Sequence, residues 1–231
     1  MKAQRLRFRY RITEAGCSLG QREIIRAWEQ AVTDAGLELA HSEGKRKTAQ
    51  VSVAAPLPQN VTSDGELAEV YLSQAVPPQM ALKAVSAKMP PGMELLAVDE
   101  VGVQAPSLQS QLRWAEYVVN LPPGADQSQV RRAVEELLAK DTLPSEYRRE
   151  EKVRAYDLRP LVLQLCVERG DPGRPVLRMR LRAEPENTGR ADQVLLALGL
   201  PEGSRIHRTR LQVEEVQPAV LAYRRSGEGE D

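Results

Sequence analysis

Between Arg5 and Ile12 the chain alternates strictly, with Leu6, Phe8, Tyr10 and Ile12 set against Arg5, Arg7, Arg9 and Arg11. A period of two places four apolar side chains on one face of a strand and four guanidiniums on the other. The apolar face calls for a core. The guanidinium face cannot be buried unpaired, because desolvating an isolated ion costs several kcal/mol, so it must meet water, carboxylates or phosphates.

The pattern then changes period. Ser18 and Gln21 have capping-box spacing, and Ile24, Ile25, Trp28, Ala31, Val32 and Ala35 fall on one helical face that Gly36 terminates. Trp28, at helical spacing among aliphatics, belongs to the core. Short strands are predicted over 37–41, 50–55 and 66–73, then a helix from Pro78 to about Lys88 and an extended run over 93–103. After a linker at 104–110 the same order is predicted again. A strand spans 113–121, and a helix capped by Asp126 carries Val130, Ala133, Val134, Leu137 and Leu138. Strands follow over 148–156, 161–169 and 176–183, the last two joined by the turn Asp171-Pro172-Gly173. A short helix at 191–198 and a strand at 204–213 close the pattern.

The fold class expected from this order is α+β: two tandem ferredoxin-like, or split βαβ, units with antiparallel sheets and helices on one face. The expected division is a first unit at 1–104, a linker at 105–110, a second unit at 111–216 and a mobile tail at 217–231 that has nothing to bury.

Composition narrows the function classes. Of 231 residues, 32 are Lys or Arg and 32 are Asp or Glu, which excludes global polycation behaviour and requires any nucleic-acid site to be local. Residues 1–60 carry 10 basic against 6 acidic side chains, whereas residues 61–110 carry 2 against 6. Cys17 and Cys166 are the only cysteines and fall on different elements, which fits a reducing compartment, so a cytoplasmic location without membrane association is expected. No cysteine triplet, zinc pair, phosphate loop or GxGxxG occurs, and no cofactor is expected.

In a split βαβ unit the helices leave one sheet face open, and Arg5, Arg7, Arg9 and Arg11 would line it. Arg178, Arg180 and Arg182, alternating with Leu177, Met179 and Leu181, repeat the pattern in the second half. Same-face positions lie ~6.8 Å apart along a strand, and guanidinium matches phosphate bidentately, so the two rows make a candidate nucleic-acid surface. Lys45, Arg46 and Lys47 add positive charge in a loop. The competing expectation is that Glu66, Glu69, Glu168 and Glu184 pair with these arginines in a solvated ionic face. Phe8 and Tyr10 belong to the apolar face, so they offer no platform for base stacking. His41 and His207 are the only histidines, and any general base must be one of them or a carboxylate.

Several segments together resemble the radical-SAM-linked protein family, a bacterial domain of unknown function found beside or fused to cobalamin-type radical SAM proteins. They are LRFRYR in the first strand, Ala35-Gly36-Leu37, His41-Ser42-Glu43-Gly44, Ala55-Pro56-Leu57-Pro58, Ala105-Pro106-Ser107-Leu108, Asp157-Leu158-Arg159-Pro160-Leu161 and Ile206-His207-Arg208-Thr209. Two polar clusters of the family are absent. Members carry a Ser-His pair followed by Asp where this chain has Leu19-Gly20-Gln21, and a histidine-containing loop where it has Gly44-Lys45-Arg46-Lys47. No catalytic residue carries over. The resemblance implies a non-catalytic accessory protein for a separate radical SAM enzyme, holding RNA or a translation-related substrate. Two alternatives stand beside it: a metal-free endoribonuclease similar to CRISPR repeat-processing proteins, with His41 or His207 as general base, and a protein-only scaffold.

Overall fold

The computed structural model describes residues 2–43, 48–122, 124–149, 152–169, 175–200 and 204–214. β1 (Gln4–Ile12) forms as its alternation requires, with Leu6, Phe8, Tyr10 and Ile12 buried. α1 (Gln21–Asp34) lays Ile24, Trp28, Ala31 and Val32 on that face. Trp28 fills the centre, its ring centroid 5.2 Å from Phe8 and 5.3 Å from Tyr10, the latter edge-on. The start of α1 differs from expectation. Gly20 is the N-cap, and its N–H donates to the Glu23 carboxylate at 2.8 Å, so the Ser18 and Gln21 pair is not the cap. A carboxylate in the first turn also complements the helix dipole, which a glutamine there would not.

β2 (Val51–Val53), β3 (Thr62–Leu72), α2 (Pro78–Ser86) and β4 (Met93–Val101) complete the first half. The strand expected at 37–41 is reduced to two isolated bridges, Leu39 with Leu72 and His41 with Ala49. The strands lie in the order β4-β1-β3-β2, every pair antiparallel.

A short α3 (Leu108–Gln111) opens the second half, followed by β5 (Leu112–Asn120) and α4 (Gln127–Leu138). Asp126 caps α4 as expected, accepting the Ser128 N–H at 2.8 Å. The single strand expected over 148–156 is instead a hairpin, β6 (Pro144–Arg149) with β7 (Lys152–Asp157), which forms a sheet of its own. Then come β8 (Val162–Arg169), β9 (Pro175–Glu184), β10 (Asn187–Thr188), α5 (Ala191–Ala197) and β11 (Arg205–Val213). The turn expected at 171–173 and the tail at 217–231 lie outside the described residues. The order here is β11-β5-β9-β8, the same permutation as in the first half.

Each half has its own core. Helices α1 and α2 cover Leu6, Phe8, Tyr10 and Ile12, while α4 and α5 contribute Val130, Val134, Leu137, Val194 and Leu195 against Val119, Leu177, Met179 and Leu181. Each large side chain so buried is worth ~1.5–3 kcal/mol. The halves are then joined through their strands. β11 pairs parallel with β3, His207 opposite Thr62 and Arg208 opposite Ser63, giving a mixed α+β fold around one nine-stranded, mostly antiparallel sheet. β2 and β11 share the edge of β3 that β1 leaves free, β2 along Ala68–Val70 and β11 along Thr62–Ser63. Gly65 lies at the crossing: a Cβ there would stand 2.7 Å from both the Arg210 Cα and the Thr209 carbonyl oxygen. Among the described residues no helix is long and apolar enough to cross a membrane.

Candidate nucleic-acid interface

The first arginine row is divided by what covers it. Arg5 is fully buried, and its Nε and Nη2 donate to one oxygen of Glu69 at 2.9 and 2.5 Å. Arg7, 11% exposed, donates through Nε and Nη2 to the other oxygen of Glu69 at 2.9 and 2.8 Å. The chain leaving β4 seals this end of the row. Arg5 Nη1 donates to the Ala105 carbonyl at 2.6 Å and Nη2 to the Pro106 carbonyl at 2.7 Å. Arg7 Nη2 reaches Gln111 Oε1 at 2.9 Å. The expected open row is therefore corrected at Arg5 and Arg7, because buried guanidiniums must be saturated and the segment between the halves supplies the acceptors. Arg9 is exposed, with no ion pair among the described residues. Arg11 lies 3.4 Å from Asp64 and 3.7 Å from Glu94.

The second row stays at the surface. Arg178, Arg180 and Arg182 are 40%, 38% and 39% exposed, paired with Glu168 at 3.1 Å, Glu116 at 2.6 Å and Glu184 at 3.0 Å. The hydrogen bond from Arg178 holds the Glu168 carboxyl below its usual range. Partial burial first, and Glu168 second, push the neighbouring Cys166 thiol up. All four glutamates expected to pair do take arginines, but Glu66 takes Arg208 rather than a member of either row.

Arg208 is 2% exposed. Its Nε and Nη2 bind the two oxygens of Glu66, Nε at 2.7 Å, while Nη1 and Nη2 donate to the carbonyls of Pro56 and Ala55 at 3.1 and 3.4 Å. Burial pulls this guanidinium down, but Glu66 together with Tyr117 more than offsets that and holds it above its ordinary value. The two Ala-Pro segments read in the sequence as family markers are thus the backbone acceptors of two buried arginines. Arg159, in the segment Asp157-Leu158-Arg159-Pro160-Leu161, donates to the carbonyls of Leu138 and Lys140 and so caps the C-terminal end of α4.

His207 stands at the seam between the halves. Its Nδ1 is 2.8 Å from Thr62 Oγ1 and its Nε2 is 3.3 Å from Asp64, so both ring nitrogens are occupied. His41 is exposed in a surface groove of about 620 Å³ shared with Arg26, Thr33 and Leu39, and its segment adjoins the Leu72 end of β3 whereas His207 adjoins the Thr62 end. Lys45, Arg46 and Lys47 lie outside the described residues. Among the described residues no group of three or more His, Cys, Asp or Glu side chains is placed to hold a metal ion.

Sequence reasoning missed Trp114. β5 turns Ala115, Tyr117 and Val119 inward, which leaves Trp114 and Glu116 partly buried on the outer side. There the Arg180 guanidinium carbon lies 4.3 Å from the Trp114 ring centroid and that of Arg210 lies 5.5 Å from it. Arg210 is exposed and has no ion pair among the described residues. The available signal was an indole at the polar phase of an alternating strand, in register with the second arginine row.

No curated protein matches the chain. Among solved structures it is similar to a chain of a "Crystal Structure of a Cbf5-Nop10-Gar1 Complex", at 16% identity and a TM-score of 0.44, over 88% of this chain and 49% of that one. It thus spans about half the length of that chain. A family model described as "Uncharacterized protein conserved in bacteria (DUF2344)" matches residues 5–191, from the first buried arginine to the start of α5, and the chain belongs to that family.

Proposed function

We propose that the protein is a non-catalytic accessory module that holds RNA, or an RNA-bearing translation substrate, for a separate radical SAM enzyme in the bacterial cytoplasm. The reading includes two tandem ferredoxin-like units, for which the shared strand permutation and the paired helices of each half speak. One observation carries it. The outer side of β9, β5 and β11 presents Arg178, Arg180, Arg182 and Arg210 to solvent around a partly buried tryptophan.

The carboxylates beside these arginines do not disqualify them. An exposed ion pair contributes only ~0–1 kcal/mol, so a polyanion offering several phosphates at once can exchange for it. Arg5 and Arg208 differ in kind, since extracting either would leave a glutamate buried without its partner. The endoribonuclease alternative would use His41, which is exposed, or His207, whose two ring nitrogens are both engaged within the protein, as its general base.

The test is fluorescence anisotropy of labelled single-stranded RNA across a series of salt concentrations. Contacts to three or four phosphates give a slope of log affinity against log salt of roughly −2 to −3. Replacing Arg178, Arg180 and Arg182 by Gln reduces that slope. RNA remains intact on prolonged incubation with the parent protein; cleavage that disappears in His41→Ala or His207→Ala would establish the endoribonuclease instead. Absence of binding at low salt overturns the RNA reading. A stoichiometric complex with a radical SAM enzyme that survives nuclease treatment then selects the protein-only scaffold.

A further inference from the structure

We infer that Trp114 and Arg180 form a stacking platform for one unpaired base of a single-stranded RNA, with Arg182 and Arg210 placed to meet the neighbouring phosphates. This rests on the reading of the outer sheet face as an RNA-holding surface and specifies where on it a base is held.

The protein has two tryptophans, and the fold uses them differently. Trp28 is sealed against Phe8 and Tyr10 in the first core. Trp114 belongs to no core cluster, although the other side of its own strand supplies Ala115, Tyr117 and Val119 to one. The Trp114 indole is partly buried beside the Arg180 and Arg210 guanidiniums, and stacking a ligand on that pair would bury the apolar surface they leave in water.

Its surroundings select the ligand. In register, Trp114 faces Arg182 on β9 and Gln212 on β11, and the diagonal neighbours Arg180 and Arg210 approach the ring. A cationic guest is excluded, because guanidiniums already occupy the electron-rich environment of the ring. A flat, neutral ring attached to an anion suits both elements, since indole and guanidinium planes each stack on bases and the remaining guanidinium donors are free to turn to phosphate. Arg180 and Arg182 lie on the same side of β9, about 6.8 Å apart along the strand, which spreads the positive charge along a path instead of at a point. A duplex does not fit, because its bases are stacked inside and an open sheet face offers nothing narrow enough to enter the deep groove of an A-form helix.

The test compares short oligoadenylate with inorganic polyphosphate, using the full chain and reading intrinsic tryptophan fluorescence and binding isotherms. Oligoadenylate quenches the Trp114 emission, and Trp114→Ala weakens its binding roughly 5- to 150-fold, the range for removing one base–aromatic stack. Trp114→Phe, which keeps a ring, retains most of the affinity. Polyphosphate binding is unchanged by either substitution and falls in Arg180→Gln with Arg210→Gln. Circular dichroism of each variant verifies its fold. If folded Trp114→Ala binds oligoadenylate as the parent does while the arginine double variant loses it, the stacking site is overturned and the polyanion surface stands. If the parent binds neither ligand, both fail together.

Discussion

Arg5 on β1 and Arg208 on β11, the strands flanking β3, make matching sets of contacts, since each pairs with a β3 glutamate and donates to both carbonyls of an Ala-Pro dipeptide. Arg5 holds Ala105-Pro106, in the segment between the halves, and Arg208 reaches from the second half to hold Ala55-Pro56 in the first. β3 is therefore the element to which the second half is fastened, by the parallel pairing with β11 and the buried Arg208–Glu66 ion pair, while Arg5, paired with Glu69 inside the first half, anchors the segment between the halves.

Glu69 serves two arginines with one oxygen each, so its loss leaves the buried Arg5 and the largely buried Arg7 short of their counter-ion. Glu69→Gln is expected to lower unfolding stability by about 3–5 kcal/mol, read from the urea midpoint. A change below ~1 kcal/mol would mean that the backbone carbonyls alone satisfy Arg5.

For Arg208 and Glu66 the expected result is non-additive. Arg208→Met alone strands a buried carboxylate and costs about 3–5 kcal/mol, whereas Arg208→Met combined with Glu66→Leu removes both charges and costs less than either single change. A double-mutant cycle by urea unfolding gives the coupling. Additive losses would argue against direct pairing.

Tyr10 is 2% exposed. Burial first, then the Glu66 carboxylate, push its hydroxyl well above the ordinary tyrosine value, and Arg208 offsets only part of this. With the folded pKa raised, the associated stability is fully present below the unfolded value of about 10 and is lost as pH rises above it. Stability should therefore fall by up to ~1.4 kcal/mol per pH unit above about pH 10 from this group, and Tyr10→Phe should remove that component. Denaturation midpoints taken on either side of that pH check it; an identical alkaline slope in Tyr10→Phe contradicts it.

Gly65→Ala tests the seam. Its Cβ would collide with the backbone of Arg210 and Thr209, neither of which can yield as a side-chain tip would. Overpacking of this kind costs about 1–3 kcal/mol, and hydrogen exchange should accelerate at Arg208 and in its neighbours on β11 before it does in β1. Uniform acceleration through both cores would place the damage elsewhere.

Much of the candidate site was legible as residue types and little of it as roles. The alternation in β1 and β9 put seven arginines on the polar phase, and that phase held; what each arginine meets was not written locally. Arg5 and Arg178 look alike in a strand pattern, yet one is sealed by carbonyls about a hundred residues away and the other lies at the surface beside Glu168. Trp114 escaped notice because an indole reads as a core residue by type, and only the pairing of β5 with β9 and β11 fixes that its phase, shared with Glu116, faces away from the core.

The sequence by itself determined the local elements: β1, α1 with Trp28 inward, α4 behind Asp126, and a repeated order of strands and helices. Those depend on periodicity and capping, which act over a few residues. Only the tertiary structure decided that β11 docks on β3, that Glu66 and Glu69 become buried counter-ions, and that the open arginine surface shifts toward β9. Those outcomes depend on contacts separated by 62 to 145 positions, where desolvation and hydrogen-bond saturation, not local pattern, choose the partner.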